Sequence, residues 1–165
     1  MHIDHKQVKG RAATSVQGFT MLELMIVVVI IGIMAAVAVP NMGGWLAKRD
    51  LNSAARTMFS HFQQARSRAV MDNQSVTITF TTNAAPTQDS YIVDEGATNI
   101  VPLTTLPAGI DMTIGSGFAS NTGGIDGLGI ATTPGSVVLT SSKAPTADNT
   151  RTITLSLGGS VTIMP

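Results

Sequence analysis

Residues 19–39 constrain the fold more than any other segment, because they hold a single charged residue, Glu23, in an otherwise apolar run. As a helix, this run would extend about 32 Å, close to the thickness of the hydrocarbon core of a bilayer. We therefore predict a membrane-inserted helix. A charge in the middle of such a helix costs roughly 2.5–3.5 kcal/mol, so the presence of Glu23 points to a function.

A helical pattern continues beyond Pro40, where apolar residues recur at alternating steps of four and three. The members of this stripe are Leu51, Ala55, Met58, Phe62, Ala65 and Ala69. Cations and amides occupy the other faces, so this half is amphipathic. We predict one long helix from about Phe19 to about Asp72. Its weak points are Pro40, which lacks a backbone donor, and the Gly43-Gly44 pair.

After residue 73, Ser, Thr, Gly and β-branched residues dominate, and apolar residues alternate as in strands. Strands are predicted at residues 74–80, 136–140, 151–157 and 160–163, and weaker ones at 91–93, 100–103 and 110–114. Gly158-Gly159 predicts a hairpin between the last two strands. The six glycines in residues 115–129 predict a loop. The expected fold class is α+β, with a long N-terminal helix packed on an antiparallel β-sheet domain.

The residues alone leave the purpose of the N-terminal segment open. A secretory signal peptide would explain Ala36-Val37-Ala38 as a cleavage site, but the apolar run is longer than usual and Glu23 lies at its start. A plain membrane anchor with a periplasmic domain would explain the length of the run. It gives no reason for Glu23.

A third interpretation comes from a resemblance. Residues 18–24 (GFTMLEL), after a short basic leader, resemble the class III signal of type IV pilins and type II secretion pseudopilins. The resemblance implies that a prepilin peptidase cuts between Gly18 and Phe19 and methylates the new amine of Phe19. It also implies that Glu23 aligns neighbouring subunits in a fibre by meeting such an amine, and that Pro40 kinks the helix.

The same resemblance divides the chain into four parts. Residues 1–18 would be a cleaved leader, residues 19–40 a transmembrane and fibre-core helix, residues 41–72 the amphipathic half of the helix, and residues 73–165 the β domain. The subunit would sit in the inner membrane with its N-terminus cytoplasmic and its β domain periplasmic. It would then enter a pilus or pseudopilus fibre.

A second resemblance narrows the group. Residues 51–80 are similar to the helix-to-strand junction of the GspH/FimT minor pilins, with Ala65-Arg66-Ser67-Arg68-Ala69 followed by a strand from Val76. This implies a structural subunit near the fibre tip that helps to start assembly. The implied partners are other pilins or pseudopilins, the prepilin peptidase, an inner-membrane assembly platform and membrane lipid. Without the resemblance, Arg66 and Arg68 predict a solvated helix face.

Some members of that group bind DNA through a basic tail motif, which makes a DNA-binding minor pilin the alternative. Here residues 158–163 contain no arginine, and Arg151 is the one cation among the last twenty residues. Three of the ten Lys and Arg residues and one of the ten Asp and Glu residues, Asp4, lie in the leader. The mature chain would therefore keep seven basic and nine acidic residues. A slightly acidic mature chain has the wrong sign for binding phosphates, so nucleic acid is not expected as a partner.

Nothing in the sequence indicates catalysis. The chain has no cysteine, and His61, the one histidine beyond the leader, lies on the amphipathic helix, where a packing role is expected. No catalytic triad, paired-carboxylate motif or phosphate loop is present. We expect no enzyme, cofactor or metal. A calcium ion held by Asp111, Asp126 and the glycine-rich loop is an alternative, although aspartates are common in turns.

Overall fold

A computed structural model describes residues 18–84 and 86–165, apart from the side chains of residues 37–41. The chain divides into two compact units, Met1–Val39 and Pro40–Pro165, and each is described by itself. Apart from Gly18, the predicted leader lies outside the described residues.

The helix α1 (Met21–Asp72) covers almost the whole predicted range and begins at a capping residue. The Thr20 hydroxyl oxygen accepts a hydrogen bond from the Glu23 amide at 3.1 Å, which satisfies one of the N–H groups that a helix start leaves without a partner. Glu23 in the first turn also suits the positive end of the helix dipole. At the other end, Asn73 adopts a left-handed conformation with φ of 51°, which is common after a helix.

The assigned helix runs through Pro40. The kink expected at this residue stays a prediction, since the side chains of residues 37–41 lie outside the described part. Among the described residues, no helix is both long and apolar enough to cross a membrane. The transmembrane interpretation of residues 19–40 therefore stays a prediction as well.

The strands that follow the helix in the described residues form two antiparallel sheets. They are β1 (Val76–Thr81), β2 (Ser90–Glu95), β3 (Thr98–Thr105), β4 (Ile110–Ile114), β5 (Thr122–Ile125), β6 (Ala131–Thr133), β7 (Gly135–Ser141), β8 (Thr150–Leu155) and β9 (Val161–Met164). Sheet A has the order β3-β2-β1-β5-β6, and sheet B has the order β4-β7-β8-β9. The first strand after the helix thus lies in the centre of sheet A.

One apolar core joins the second half of α1 to both sheets. Every member of the predicted apolar stripe, from Leu51 to Ala69, is buried. Sheet A contributes alternate residues of β1 and β2, and sheet B contributes alternate residues of β7 and β8. The Phe62 and Phe80 rings meet at a centroid distance of 6.1 Å, a favourable aromatic contact between helix and sheet.

The alternating segments were predicted well, since β4 coincides with residues 110–114 and the hairpin between β8 and β9 forms at Gly158-Gly159.

The loop predicted for residues 115–129 is wrong in its middle, where β5 lies. Gly123 and Gly124 belong to this strand because neighbours approach them closely. A Cβ on Gly123 would lie 3.0 Å from the Phe118 ring, and one on Gly124 would collide with Thr132 Oγ1. These glycines make room for side chains, and they do not bend the chain.

Candidate assembly surface

The first unit presents an apolar helical surface. From Phe19 to Met34, every large apolar side chain is between 48% and 88% exposed. Monomeric soluble proteins rarely expose a contiguous apolar patch of more than a few hundred Å². An exposed apolar surface of this kind marks a site of contact with another protein or with a membrane.

Glu23 interrupts this surface near the helix start, beside Phe19. The two residues line one surface depression of about 210 Å³ together with Leu24 and Val27. The hydrogen bond to Thr20 fixes the Glu23 backbone, whereas the carboxylate forms neither an ion pair nor a hydrogen bond with any described residue. Its oxygens are therefore open to a donor from outside this chain.

Gly18 and Phe19 precede the helix in an exposed, non-helical segment. Among the described residues other than its chain neighbours, none comes within 4 Å of a Cβ built on Gly18, so none of them shields the peptide bond between Gly18 and Phe19. Proteases cut exposed, irregular backbone, and this segment has that form. Cleavage and methylation here stay predictions.

In the second unit, a polar network attaches α1 to sheet B. The buried Arg151 on β8 donates from Nε to Asn52 Oδ1 at 2.8 Å, and it pairs with Asp148 at 2.5 Å. Asp148 also pairs with Lys48 of α1. Hydrogen bonds from Lys48 and then Arg151 hold the pKa of Asp148 below its usual range. Arg151 is thus occupied by partners within the fold.

Arg66 occupies a junction of three elements. Its Nε donates to the Gly129 carbonyl, between β5 and β6, at 3.2 Å. Gly159 of the β8–β9 hairpin packs on the same point, where a Cβ would collide with the Gly129 oxygen. The prediction of a solvated face is therefore wrong for Arg66, although Arg68 is exposed and pairs with Asp72 at 2.6 Å. The one sequence signal for this role was the position of Arg66 in the Ala-Arg-x-x-Ala motif.

His61 has the packing role that was expected of it. The side chain is half-buried, and its Nδ1 is hydrogen bonded to the Tyr91 hydroxyl of β2 at 2.7 Å. Burial lowers the pKa of His61 and raises the pKa of Tyr91 well above its usual value, so both groups are neutral near pH 7. The pair connects α1 to sheet A.

The two aspartates considered for calcium belong to different parts of the fold. Asp111 lies on β4 in sheet B, whereas Asp126 follows β5 of sheet A. Asp126 Oδ1 accepts hydrogen bonds from the amides of Leu128 at 3.0 Å and Ile130 at 2.9 Å, which shapes its own turn. In the part of the chain that the structure describes, no three His, Asp or Glu side chains are close enough to hold a metal ion.

Comparison with known families gives two matches. The family described as Type II transport protein GspH matches residues 54–159, which is most of the second unit. The prokaryotic N-terminal methylation motif matches residues 14–39. Both resemblances found in the sequence are thereby confirmed.

Individual relatives match over shorter segments. Type II secretion system protein H of Aeromonas hydrophila is 37% identical over 59 residues, 36% of this chain and 32% of that protein. Type II secretion system core protein G of Escherichia coli (strain K12) is 48% identical over 44 residues, 27% of this chain and 30% of that protein. A fimbrial protein of Pseudomonas aeruginosa is 33% identical over 75 residues, 46% of each chain. The matches thus span less than half the length of these relatives.

Two solved structures share the fold. The minor pseudopilin EpsH from the type 2 secretion system of Vibrio cholerae has a TM-score of 0.52 and 11% identity, covering 70% of this chain and 96% of that one. The type IV minor pilin FimU of Pseudomonas aeruginosa has a TM-score of 0.50 and 18% identity, covering 71% and 90%. At such identities the likeness concerns the fold alone, and it confirms the α+β architecture of a helix packed on antiparallel sheets.

Proposed function

Because this chain belongs to the GspH family of type II transport proteins, we propose that it is a structural minor subunit of a type II secretion pseudopilus or a type IV pilus. The observation that carries the proposal is the exposed apolar helix from Phe19 to Met34, with one uncompensated carboxylate near its start. A soluble binding protein or enzyme has no use for such a surface. A subunit that is stored in lipid and then packed among similar helices requires it.

The energetics of assembly follow from this surface. Covering each of the exposed apolar side chains contributes roughly 1–2 kcal/mol, whether lipid or another helix covers it. The transfer from membrane to fibre therefore changes little in apolar burial. The specific alignment of one subunit with the next must therefore come from polar groups. Glu23 is the one charged side chain on this part of the helix.

Cleavage after Gly18 would leave a cationic amine on Phe19. Glu23 is four residues further on, about 6 Å along the helix axis. In apolar surroundings an unpaired ammonium and an unpaired carboxylate are both unfavourable, and pairing offsets much of the cost. An incoming subunit whose amine meets the Glu23 carboxylate of its neighbour is thereby held at one axial position. Thr20 supports this arrangement because it is retained after cleavage and keeps the first turn helical.

In this scheme the precursor is held in the inner membrane by residues 19–40, with its N-terminus cytoplasmic and its β domain periplasmic. A prepilin peptidase processes it, an assembly platform extracts it, and other pilins or pseudopilins pack around its helix. The position near the fibre tip and the role in starting assembly are proposed from the resemblance of residues 51–80 to the GspH/FimT group of minor pilins. We assign no catalytic role, cofactor or nucleic-acid partner.

The decisive experiment is the N-terminal mass of the protein recovered from membranes, with and without a prepilin peptidase. We expect a chain that begins at methylated Phe19 only when the peptidase is present. Gly18→Val should block processing without disturbing the fold, because no described residue packs on Gly18. Gly32→Val, at another uncrowded glycine of the helix, is the matched control and should be processed normally. An intact N-terminus, or a chain that begins after Ala38, would refute the proposal.

Glu23→Gln then tests the registration step separately from processing. The substitution preserves the size of the side chain and leaves the backbone bond to Thr20 unchanged, but it removes the charge. We expect normal cleavage and normal membrane recovery, with loss of the subunit from sheared fibres. Undiminished incorporation of Glu23→Gln would rule out pairing with the amine as the alignment mechanism.

A further inference from the structure

Trp45, the single tryptophan of the chain, is 62% exposed on α1. Met42 and Leu46 are also exposed, by 61% and 49%. The spacing of the three residues places them on one face of the helix. The second unit therefore begins with an apolar face that the β domain leaves largely uncovered. The Trp45 face is defined here as Met42, Trp45, Leu46 and Arg49.

Cations lie next to the indole. One surface depression of about 300 Å³ is lined by Trp45, Lys48, Arg49 and Asn52. Lys48 is paired with Asp148, but Arg49 makes no ion pair with any described residue. The neighbouring Asp50 lines a different depression, with Leu46 and Lys143 among others. The guanidinium of Arg49 thus gives the Trp45 side of the helix an uncompensated positive charge.

A tryptophan beside an arginine is favoured at the interface between membrane and water. Tryptophan is enriched where membrane meets water, because its ring is apolar and its N–H is polar. Arginine reaches from an apolar stem to lipid phosphates at the same depth.

The distance along the chain also fits a membrane interface. Trp45 follows the last residue of the apolar run 19–39 by six positions. In helices that span a membrane, tryptophan is enriched close to the end of the apolar run, where the hydrocarbon gives way to the headgroups.

We propose that the Trp45 face is an interfacial anchor that binds the headgroup region of the periplasmic leaflet while the subunit waits in the membrane. The anchor rests on the proposed function, because it requires the first half of α1 to be inserted. It fixes how deep the helix sits, and thereby the depth at which Phe19 and Glu23 are presented for processing and assembly. Extraction into a fibre then begins with release of the indole and the guanidinium from lipid.

Fluorescence tests the anchor directly, because Trp45 is the one tryptophan. The full chain is reconstituted into vesicles of phosphatidylethanolamine and phosphatidylglycerol, and insertion is confirmed by resistance to carbonate extraction. We expect blue-shifted emission, strong quenching by lipids brominated near the headgroup, and weaker quenching by lipids brominated near the chain ends. The control is Trp45→Phe combined with Leu128→Trp, which moves the fluorophore to an exposed loop of the β domain. Its emission should not respond to either brominated lipid.

The outcomes separate the anchor from the proposed function. If the chain resists carbonate extraction but Trp45 is quenched by acrylamide and by neither lipid, the anchor is refuted and the proposed function stands. Equal quenching of Trp45 and of the Leu128→Trp control also refutes the anchor. If the chain is released by carbonate, insertion itself has failed and both proposals are overturned.

Discussion

Asp89 offers the sharpest test of how the two sheets are held together. Its side chain is 5% exposed and lies just before β2 of sheet A. One carboxylate oxygen accepts the Asn83 amide and the other accepts the Met112 amide of β4 in sheet B, each at 2.6 Å. A single carboxylate therefore connects a loop of sheet A to an edge strand of sheet B.

Asp89→Asn keeps the shape of the side chain but replaces one acceptor oxygen with an NH₂ group. Either the buried Met112 amide or the more exposed Asn83 amide then faces another donor, and the remaining hydrogen bond loses its charge. A net hydrogen bond to a charged group is worth about 1.5–3 kcal/mol, and a buried amide without a partner costs about 1–3 kcal/mol. We expect the free energy of unfolding to fall by about 2–5 kcal/mol, a large share of the stability of a domain of this size.

The loss is measured by urea-induced unfolding of the full chain in mild detergent, followed by pulse proteolysis. Asp111→Asn is the matched control, because Asp111 is an exposed neighbour of Met112 on the same strand. It should change stability by less than about 0.5 kcal/mol. If Asp89→Asn costs no more than Asp111→Asn, the connection between the sheets does not depend on this carboxylate and the reasoning is wrong.

Two further predictions concern a close contact of the last hairpin and an ion pair of the helix. Gly159→Ala should destabilise the β domain by about 1–3 kcal/mol in the same assay, because φ at Gly159 is +73° and a Cβ would collide with the Gly129 carbonyl. The control is Gly158→Ala, which should cost much less because the space around Gly158 is open. The pKa of Asp148 is depressed in the fold below its ordinary value of 3.8, so the stability that its ion pairs contribute is complete above about pH 3.8 and is lost as the pH falls through the lower folded value. Asp148→Asn should remove this part of the pH dependence of thermal unfolding, and an unchanged acid limb would contradict the assignment.

Local patterns were sufficient to predict α1 and most strands. The apolar stripe from Leu51 to Ala69 follows the helical period, and the alternation at residues 110–114 gave β4 to the residue. β5 was missed because its glycines carry no alternation signal, and β6 because three residues are too few to show one. Strand order depends on pairings between distant segments, such as β1 with β5, and no local pattern encodes these.

Among the functional residues, too, those in a local motif were predicted and those with distant partners were not. Phe19 and Glu23 were found because they form a contiguous motif beside an apolar run. The roles of Arg66 and Asp89 were not found, because their partners lie 63 and 23 residues away and are backbone groups, which have no residue identity to recognise. Trp45 was overlooked as one apolar residue among many, and its exposure is what gives it meaning.

The order in which the chain visits its two sheets has a consequence for export. β1 to β3 belong to sheet A, β4 to sheet B, β5 and β6 to sheet A again, and β7 to β9 to sheet B. Arg151 on β8 reaches back 99 residues to Asn52 on the helix. Contacts over such separations form late, because they must first close long loops. If the β domain crosses the membrane in sequence order behind the helix, as the proposed topology requires, the apolar stripe of α1 stays uncovered on one side until β8 has emerged. In the proposed periplasmic location, the half-folded subunit would expose this stripe to chaperones, to the bilayer surface and to proteases throughout that interval.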